Sequence, residues 1–315
     1  MIPCPSALVI YPDEDQPALV QTLVDGITAA IPDLAVQVGG PAPSGPYAVC
    51  EFIPDDITAY RDALWVHISG AGANGMLAAL KRDGVRPKLI TRTVGEMGHQ
   101  IGEYVLSYCL ADAQKHTVRA RLQDARVWNS RAARPARLSG QTALIFGTGG
   151  IGAGVASVLG SIGMNCTGVS RSGRARSPFD RVMTLDQLPD DLGHFDICVA
   201  VFPATAATHH LIGRDIFSRL DGVLFVNAGR GPTVDMAALT TAIDAGHVRT
   251  AVLDVFETEP LPAESDLWTH ERVVIPPHVS GLTQPEDTVR AFVAAYRALE
   301  RGEMPDLIVD PDAGY

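Results

Sequence analysis

The chain has 315 residues, a length that favours two domains at about 150 residues per domain. With 46% hydrophobic and 19% charged residues it can bury a sizeable core, which excludes an intrinsically disordered chain. The formal net charge of −11 argues against a surface for nucleic acid or for an anionic membrane, because both require clustered positive charge.

The cellular compartment is also constrained by the sequence. No apolar run approaches the roughly 18 residues of a membrane helix, and the N-terminus lacks the basic region of a secretory signal. The 5 cysteines are odd in number and scattered, which favours buried thiols in a reducing compartment over disulfides or a zinc site. We therefore expect a cytoplasmic protein.

In the first hundred residues, short apolar runs alternate with helical patterns, the first of which spans about 15–30. Such runs are typical of a parallel sheet that is covered on both faces. The predicted strands are 6–12, 34–40, 47–52, 63–69 and 88–92.

A long helical pattern follows, from about Gly98 to Gln123, with one apolar face. That face contains Ile101, Val105, Leu106 and Leu110. The Arg-rich segment 126–140 has no clear period and is interpreted as a connection, with a phosphate or partner surface as the alternative.

The second half predicts six further strands, with helical patterns between the first five, which is enough for a complete doubly wound sheet. The final helix, about 285–301, follows that sheet and is expected to pack on the first domain. The six strands are 142–147, 166–170, 196–202, 223–229, 250–256 and 272–276.

The motif GTGGIG lies directly after a predicted strand and opens a predicted helix. Gly147 permits the turn, Gly149 lets a pyrophosphate approach the backbone, and Gly152 lets the helix pack closely on the strand. The helix N-terminus, with the amides of Gly150 and Ile151, offers N–H groups to phosphate. The motif therefore predicts dinucleotide binding.

The end of the second strand of that sheet selects the dinucleotide. An NAD-preferring site has a carboxylate there, whereas this chain has Ser170, Arg171, Ser172 and Arg174. Two guanidinium groups favour a 2′-phosphate, so NADP(H) is predicted to be preferred. The alternative is a solvated loop with mixed selectivity and use of NAD(H).

Three charged residues follow predicted strands in the order Arg230, Glu259, His278. A planar Arg can hold an α-keto acid, His can supply a proton near neutral pH, and a carboxylate can orient that His. Each residue alone has an ordinary structural explanation, as a surface charge, a loop carboxylate or a capped loop histidine. Their order after a dinucleotide motif predicts hydride delivery to a ketone.

From about Ala63 onward the chain resembles the D-isomer-specific 2-hydroxyacid dehydrogenases, and within them the glyoxylate/hydroxypyruvate reductase A type. The motifs that carry the resemblance are GAGAN (70–74), MGHQIGEYVLSYCL (97–110), GTGGIG (147–152), SRS (170–172), VNAGRG (226–231), LDVFETEPLPAESDLW (253–268), PPHVSG (276–281) and DPDAGY (310–315). The resemblance implies an α/β fold of two Rossmann- or flavodoxin-like domains with parallel doubly wound sheets and a cleft between them. Residues 1–97 and 285–315 would form the substrate domain, and residues 98–284 the NAD(P)-binding domain.

The resemblance also implies roles for single residues. Arg230 would bind the keto acid, His278 would be the general acid, and Glu259 its partner. The N–H groups around Ala71, Gly72 and Ala73 would hold the substrate carboxylate, although Asn74 stands where the family usually has Asp. Asp254 would face the nicotinamide, and the other residues implied to line the cofactor are Phe202, Pro203, Ala228 and Ser280.

The expected activity is NADPH-dependent reduction of small 2-keto acids, glyoxylate to glycolate and hydroxypyruvate to glycerate, by a homodimer. One alternative is the same fold acting on a bulkier 2-keto acid, or on phosphite or formate. Another is a dinucleotide-sensing binding protein without turnover. No metal is expected, because His209 and His210 fall in a predicted helix, where adjacent side chains point about 100° apart.

Overall fold

The structure is a computed structural model that describes residues 2–11, 17–51, 56–312 and 314. The chain forms two compact units. Unit 1 comprises residues 1–96 and 283–315, and unit 2 comprises residues 97–282. No helix among the described residues has both the length and the apolar character needed to cross a bilayer.

Unit 1 contains a parallel sheet of five strands in the order β2-β1-β3-β4-β5. All four residues of β1 and of β4 are buried, which is the pattern of central strands covered on both faces. The strands are β1 (Ala7–Ile10), β2 (Ala35–Val38), β3 (Tyr47–Glu51), β4 (Trp65–Ile68) and β5 (Leu89–Arg92). The helices are α1 (Pro17–Ala30), α2 (Asn74–Asp83) and the C-terminal α8 (Pro285–Glu300).

Two apolar clusters fill the two faces of this sheet. On one face, Phe292 of α8 stacks on Trp65 of β4, with ring centroids 4.6 Å apart and planes 3° apart. Both rings are fully buried, so this contact fixes the C-terminal helix on the sheet of unit 1.

A buried polar side chain of β4, His67, lies on the face of the sheet that α8 covers. His67 has no exposed surface, and its Nδ1 and Nε2 lie 2.7 Å and 3.1 Å from the hydroxyl oxygens of Thr91 and Thr93. Thr91 also accepts a hydrogen bond from Nε1 of Trp65, at 2.7 Å. The Thr91 hydroxyl is then free to donate to Nδ1, which leaves the imidazole proton on Nε2. Burial lowers the pKa of His67 from 6.5 to about 3.

Unit 2 contains a parallel sheet of seven strands in the order β12-β11-β10-β9-β6-β7-β8. The chain reverses direction across the sheet between β6 and β9, which is the switch point where open α/β sheets bind ligands. The strands are β6 (Thr142–Phe146), β7 (Asn165–Val169), β8 (Arg181–Met183), β9 (Ile197–Ala200), β10 (Val223–Asn227), β11 (Val248–Leu253) and β12 (Val273–Val274). The helices are α3 (Met97–Ala113), α4 (His116–Asp124), α5 (Gly150–Ser161), α6 (Arg214–Phe217) and α7 (Met236–Ala245).

The predicted α/β class with two parallel sheets is confirmed, but two details of unit 2 were wrong. The sheet has a seventh strand, β8, which is only three residues long and therefore carries little periodicity. The segment between β7 and β9, predicted to contain a helical pattern, holds this strand and a single 3₁₀ turn at Leu185–Gln187.

The predicted long helix over 98–123 is also wrong, because it is two helices, α3 and α4. The chain breaks at Lys115, whose φ of 55° is left-handed. Leu110 was predicted to lie on the apolar face of this helix but is 43% exposed. Cys109 is buried in its place, on the same face as Ile101 and Val105. Segment 126–140 has no regular helix or strand, as predicted for a connection.

Glycines in α3 and α5 allow these two helices to pack closely. A Cβ at Gly154 of α5 would lie 2.2 Å from the carbonyl carbon of Gly98 in α3, and a Cβ at Gly98 would lie 2.7 Å from the carbonyl oxygen of Gly150. The two helix backbones are therefore in direct contact. This contact brings α3 against the start of α5, which follows the GTGGIG turn.

The stability of unit 1 is expected to depend on pH through His67. Between pH 6.5 and about 3 the unfolded state binds a proton on His67 that the folded state does not bind. Stability is therefore lost as pH falls through this window, by up to about 1.4 kcal/mol per pH unit. Urea unfolding at pH values of about 7, 6 and 5 should show a steeper fall for wild type than for His67→Gln. His116→Gln, at an exposed histidine, should keep the wild-type slope, and an equally steep fall in His67→Gln would contradict the assignment.

Candidate active site

The turn between β6 and α5 fits a phosphate. Gly147 has a φ of 108°, and a Cβ at Gly152 would lie 1.8 Å from the carbonyl oxygen of Gly147, so both positions require glycine. Gly149, by contrast, has no atom of the described part of the chain within 4 Å of its would-be Cβ. It is the N-cap of α5 and carries no side chain to bond the first-turn amides, which include those of Gly150 and Ile151. The amides and the open approach are those of a pyrophosphate site.

The predicted cofactor-lining residues Phe202, Pro203 and Ala228 lie next to this turn or to the adjacent strand ends. Phe202 follows β9, is 8% exposed, and would be 3.1 Å from a Cβ at Gly147. Ala228 follows β10 and donates its N–H to the carbonyl of Ala200 in β9, at 3.1 Å. All three positions therefore follow the carboxyl ends of β9 and β10, beside the switch point.

The loop after β7 contains the predicted 2′-phosphate contacts. Ser170 and Ser172 accept hydrogen bonds from the amides of Gly173 and Arg174, at 3.2 Å and 3.3 Å, so these hydroxyls hold the loop itself. Arg171 and Arg174 are exposed, and no ion pair with either is found among the described residues. The loop thus presents positive charge to solvent where an NAD-preferring site has a carboxylate.

Glu259 and His278 form the central pair of the site. The His278 Nδ1 lies 2.7 Å from Oε2 of Glu259, and Oε1 of Glu259 accepts the N–H of Phe256 at 2.8 Å. Both Glu259 oxygens are thereby engaged, which fixes the carboxylate. A carboxylate on Nδ1 makes that nitrogen the donor, so Nε2 is the atom left for exchange with a substrate. The side chains are 49% and 36% exposed, so the pair is accessible to a substrate from solvent.

The backbone of His278 is held in an unusual conformation. Its φ of 56° is left-handed, and its N–H donates to the carbonyl oxygen of Asp254 at 3.0 Å. The carboxylate of Asp254, only 1% exposed, accepts the N–H groups of Val279 and Ser280 at 2.9 Å and 3.1 Å. Asp254 therefore binds three successive residues of the loop that carries His278.

Sequence reasoning missed a further partner of this carboxylate. Tyr104 of α3 donates its hydroxyl to Oδ1 of Asp254 at 3.2 Å, across 150 positions of sequence. Burial and the Asp254 charge raise the pKa of Tyr104, so the phenol remains a donor. Tyr104 lies within a motif of the family resemblance, but nothing local in the sequence points to Asp254.

Arg230 lies at the same edge of the sheet, in the turn after β10. Its Nη1 donates to the carbonyl of Gly229 at 2.7 Å, and its own carbonyl accepts the Thr233 hydroxyl at 2.6 Å. A Cβ at Gly231 would lie 1.9 Å from the Phe256 carbonyl carbon. The turn of Arg230 is therefore packed directly on the segment that leads to Glu259.

In unit 1, the predicted carboxylate-binding loop 71–73 joins β4 to α2. Ala73 is the N-cap of α2 and is buried, and its methyl side chain cannot accept a hydrogen bond from the first-turn amides. Arg92 of β5 donates from Nη1 to the carbonyl of Ala71 at 3.2 Å, while its buried Nε has no hydrogen-bond partner among the described residues. Asn74, where the family usually has Asp, is the exposed first residue of α2. Sequence reasoning did not identify Arg92.

The comparisons with known proteins agree with this geometry. Residues 106–280 match the family model of the D-isomer specific 2-hydroxyacid dehydrogenase, NAD binding domain. The chain belongs to this family. The predicted dinucleotide-binding fold of unit 2 and the predicted membership of a dehydrogenase family are both confirmed by this match.

Individual relatives cover most of the chain. Glyoxylate/hydroxypyruvate reductase A of Salmonella paratyphi C (strain RKS4594) is 30% identical over 304 residues, 93% of this chain and 95% of that protein. A Streptomyces coelicolor protein, "Uncharacterized protein in mprR 3'region", is 39% identical over 252 residues, 80% of this chain and 89% of its own. A crystal structure of D-isomer specific 2-hydroxyacid dehydrogenase from Xanthobacter autotrophicus Py2, in complex with NADPH and MES, is 29% identical with a TM-score of 0.84 over 99% of this chain and 100% of that one.

The anchoring role of Asp254 predicts a local change in hydrogen exchange. Asp254→Asn replaces one acceptor oxygen by an NH₂ group that faces backbone donors, and hydrogen bonds to a charged group contribute about 1.5–3 kcal/mol. We expect the amides of Val279 and Ser280 to exchange about 10-fold faster or more. Tyr104→Phe keeps both acceptor oxygens and should leave these amides close to wild type. The amide of Ala251, in β11, is the internal control, and unchanged exchange at residues 279 and 280 would show that the loop is held by other contacts.

Proposed function

We propose that the protein is an NADP(H)-dependent reductase of small 2-keto acids, converting glyoxylate to glycolate and hydroxypyruvate to glycerate. The observation that carries this proposal is the 2.7 Å pair of His278 and Glu259, at the edge of the sheet where the β6–α5 turn has the form of a phosphate site. The Salmonella glyoxylate/hydroxypyruvate reductase A, 30% identical over most of the chain, supports this substrate class.

In the proposed reaction, His278 and Arg230 act on the keto acid. When bound, NADPH supplies the hydride that the carbonyl carbon accepts. Nε2 of His278 donates a proton to the carbonyl oxygen, and Glu259 stabilises the charged imidazole before that transfer. Arg230 binds the substrate and stabilises the negative charge that develops on the oxygen. In unit 1, the amides around Ala71, Gly72 and Ala73 are proposed to bind a carboxylate group.

The cofactor proposal has separate support. Gly147, Gly149 and Gly152 form the proposed pyrophosphate turn, and Arg171 and Arg174 the proposed 2′-phosphate contacts. The Xanthobacter enzyme, 29% identical, is in complex with NADPH. Asp254 is proposed to face the nicotinamide. The other residues proposed to line the cofactor are Phe202, Pro203, Ala228 and Ser280.

We also propose that the protein is a homodimer and that it is located in the cytoplasm. Trp128 is 99% exposed and Val127 is 50% exposed, and both lie in the Arg-rich connection. Exposed aromatic surface of this kind is typical of protein interfaces. The connection is therefore the proposed contact between two copies of the chain.

The reaction is tested by following NADPH absorbance with glyoxylate, hydroxypyruvate, pyruvate and phenylpyruvate. We expect turnover of glyoxylate or hydroxypyruvate by wild type and by His116→Ala, a control at an exposed histidine. His278→Ala and Glu259→Gln should lower kcat by about 10²–10⁴-fold, because they remove the proton donor or its orientation. Arg230→Ala should lower kcat/KM as well.

Other outcomes of this assay separate the alternatives. A preference for phenylpyruvate would identify a bulkier 2-keto acid as the substrate. Reduction of NADP⁺ in the presence of formate or phosphite would show that the enzyme removes a hydride from one of those acids, contrary to the proposed reaction. Tight NADPH binding without turnover of any acid would favour a dinucleotide-sensing protein.

Cofactor preference is tested with the double variant Arg171→Ala/Arg174→Ala. We expect kcat/KM for NADPH to fall by at least about 10-fold, since the loss of a single charge-assisted bond to phosphate, at about 1.5 kcal/mol, already corresponds to a tenfold change. The value for NADH should change little and is the internal reference. Arg86→Ala, at an exposed arginine of unit 1, should behave as wild type. Equal kcat/KM for NADPH and NADH in the wild type would refute the preference.

A further inference from the structure

The segment after β9 differs from the sequence-based prediction. Residues 206–210 form turns instead of a helix, with the N–H groups of Thr208 and His209 both donating to the carbonyl of Thr205 at 3.0 Å. At His210 the φ of 52° is left-handed, and its N–H donates to the carbonyl of Pro232 at 2.9 Å. Adjacent side chains diverge by about 100° only on a helix, so the two histidines in this turn are not forced apart.

This turn places the two imidazole rings side by side. The ring centroids of His209 and His210 are 4.0 Å apart, and the ring planes differ by 27°. Both Nε2 atoms lie 3.4 Å from the same oxygen, Oε1 of Glu257. One carboxylate oxygen thus faces two imidazole nitrogens at equal distance.

The distances between the three side chains are compatible with a shared metal ion. N–H···O hydrogen bonds span roughly 2.7–3.2 Å, which is shorter than the separations seen here. Ligand atoms about 2.0–2.2 Å from a tetrahedral metal lie about 3.4 Å from each other. Each of the two Nε2 atoms has this spacing from Oε1 of Glu257, and the three ligand atoms all lie within 4.8 Å of one another.

We propose that His209, His210 and Glu257 bind a divalent transition-metal ion, with Zn²⁺ as the preferred probe. Two neutral imidazoles and one carboxylate are a common ligand set for zinc and leave a fourth position for water. This is the one triad of His, Cys, Asp or Glu with such spacing that the described part of the chain contains. The site is independent of the proposed reductase activity, because none of its ligands acts in that reaction.

The surroundings of the triad allow an ion to enter. The three side chains are 54%, 39% and 49% exposed, so no opening of the fold is required. A shallow pocket lined by Ala204, Thr205, Ala206, His209 and Pro232 adjoins one ligand. The pocket offers space for water or a small anion beside His209.

The test is a calorimetric titration of the full-length protein with Zn²⁺, after removal of any polyhistidine tag and treatment with a chelator. We expect one ion per chain in the wild type and in His116→Ala, whose exposed histidine lies on α4. His209→Ala, His210→Ala and Glu257→Gln should each weaken binding at least 10-fold, because each removes one of three ligands. Glu257→Gln keeps the size of the side chain and removes its charge.

Two further readouts decide the outcome. Zn²⁺ should raise the Tm of wild type and His116→Ala, but not of His209→Ala, since an ion that binds only the folded state stabilises it. Bound Co²⁺ should show the intense visible absorption of tetrahedral coordination. Absence of saturable Zn²⁺ binding in the wild type would overturn the proposal. Equal affinity in wild type, His209→Ala and Glu257→Gln would place the ion elsewhere and would overturn it as well.

Discussion

The buried carboxylate of Asp254 is the interaction on which the candidate site depends. It accepts two loop amides and the Tyr104 hydroxyl, while the Asp254 carbonyl oxygen accepts the N–H of His278. Burying a carboxylate without such donors would lower the stability of the folded protein by several kcal/mol. The loop amides therefore stabilise the carboxylate, and the carboxylate in turn fixes the loop. These hydrogen bonds hold the backbone of His278 in its left-handed conformation, in which Nδ1 lies within hydrogen-bonding distance of Glu259.

Much of the site was predictable because its residues lie in short motifs that directly follow predicted strands. A parallel sheet places every βα turn at one edge, so GTGGIG, VNAGRG and PPHVSG could be assigned to that edge from strand patterns alone. The close approach of Gly152 to Gly147 follows from the same motif spacing. The Glu259–His278 pair was predicted from order and chemical type, without knowledge of its distance.

The features that were missed depend on contacts distant in sequence or on a single backbone torsion. The Tyr104–Asp254 bond joins residues 150 positions apart, and β8 is too short to show a period. The break at Lys115 and the turn at His210 each require one residue with positive φ, in positions that side-chain patterns describe equally well as helix. Periodicity reports which side chains share a face, and it carries no information on one such torsion.

Packing between two turns explains how Arg230 and Glu259 are positioned together. A Cβ at Gly231 would lie 1.9 Å from the carbonyl carbon of Phe256 and 2.4 Å from the N of Glu257, so any other residue would separate the turns. The N–H of Phe256 in turn donates to Glu259. Because the Gly231 contact and the Phe256–Glu259 bond meet in one segment, a shift of the Arg230 turn would move the carboxylate that orients His278. The glycine after Arg230 thus serves the geometry of the pair as much as that of the arginine.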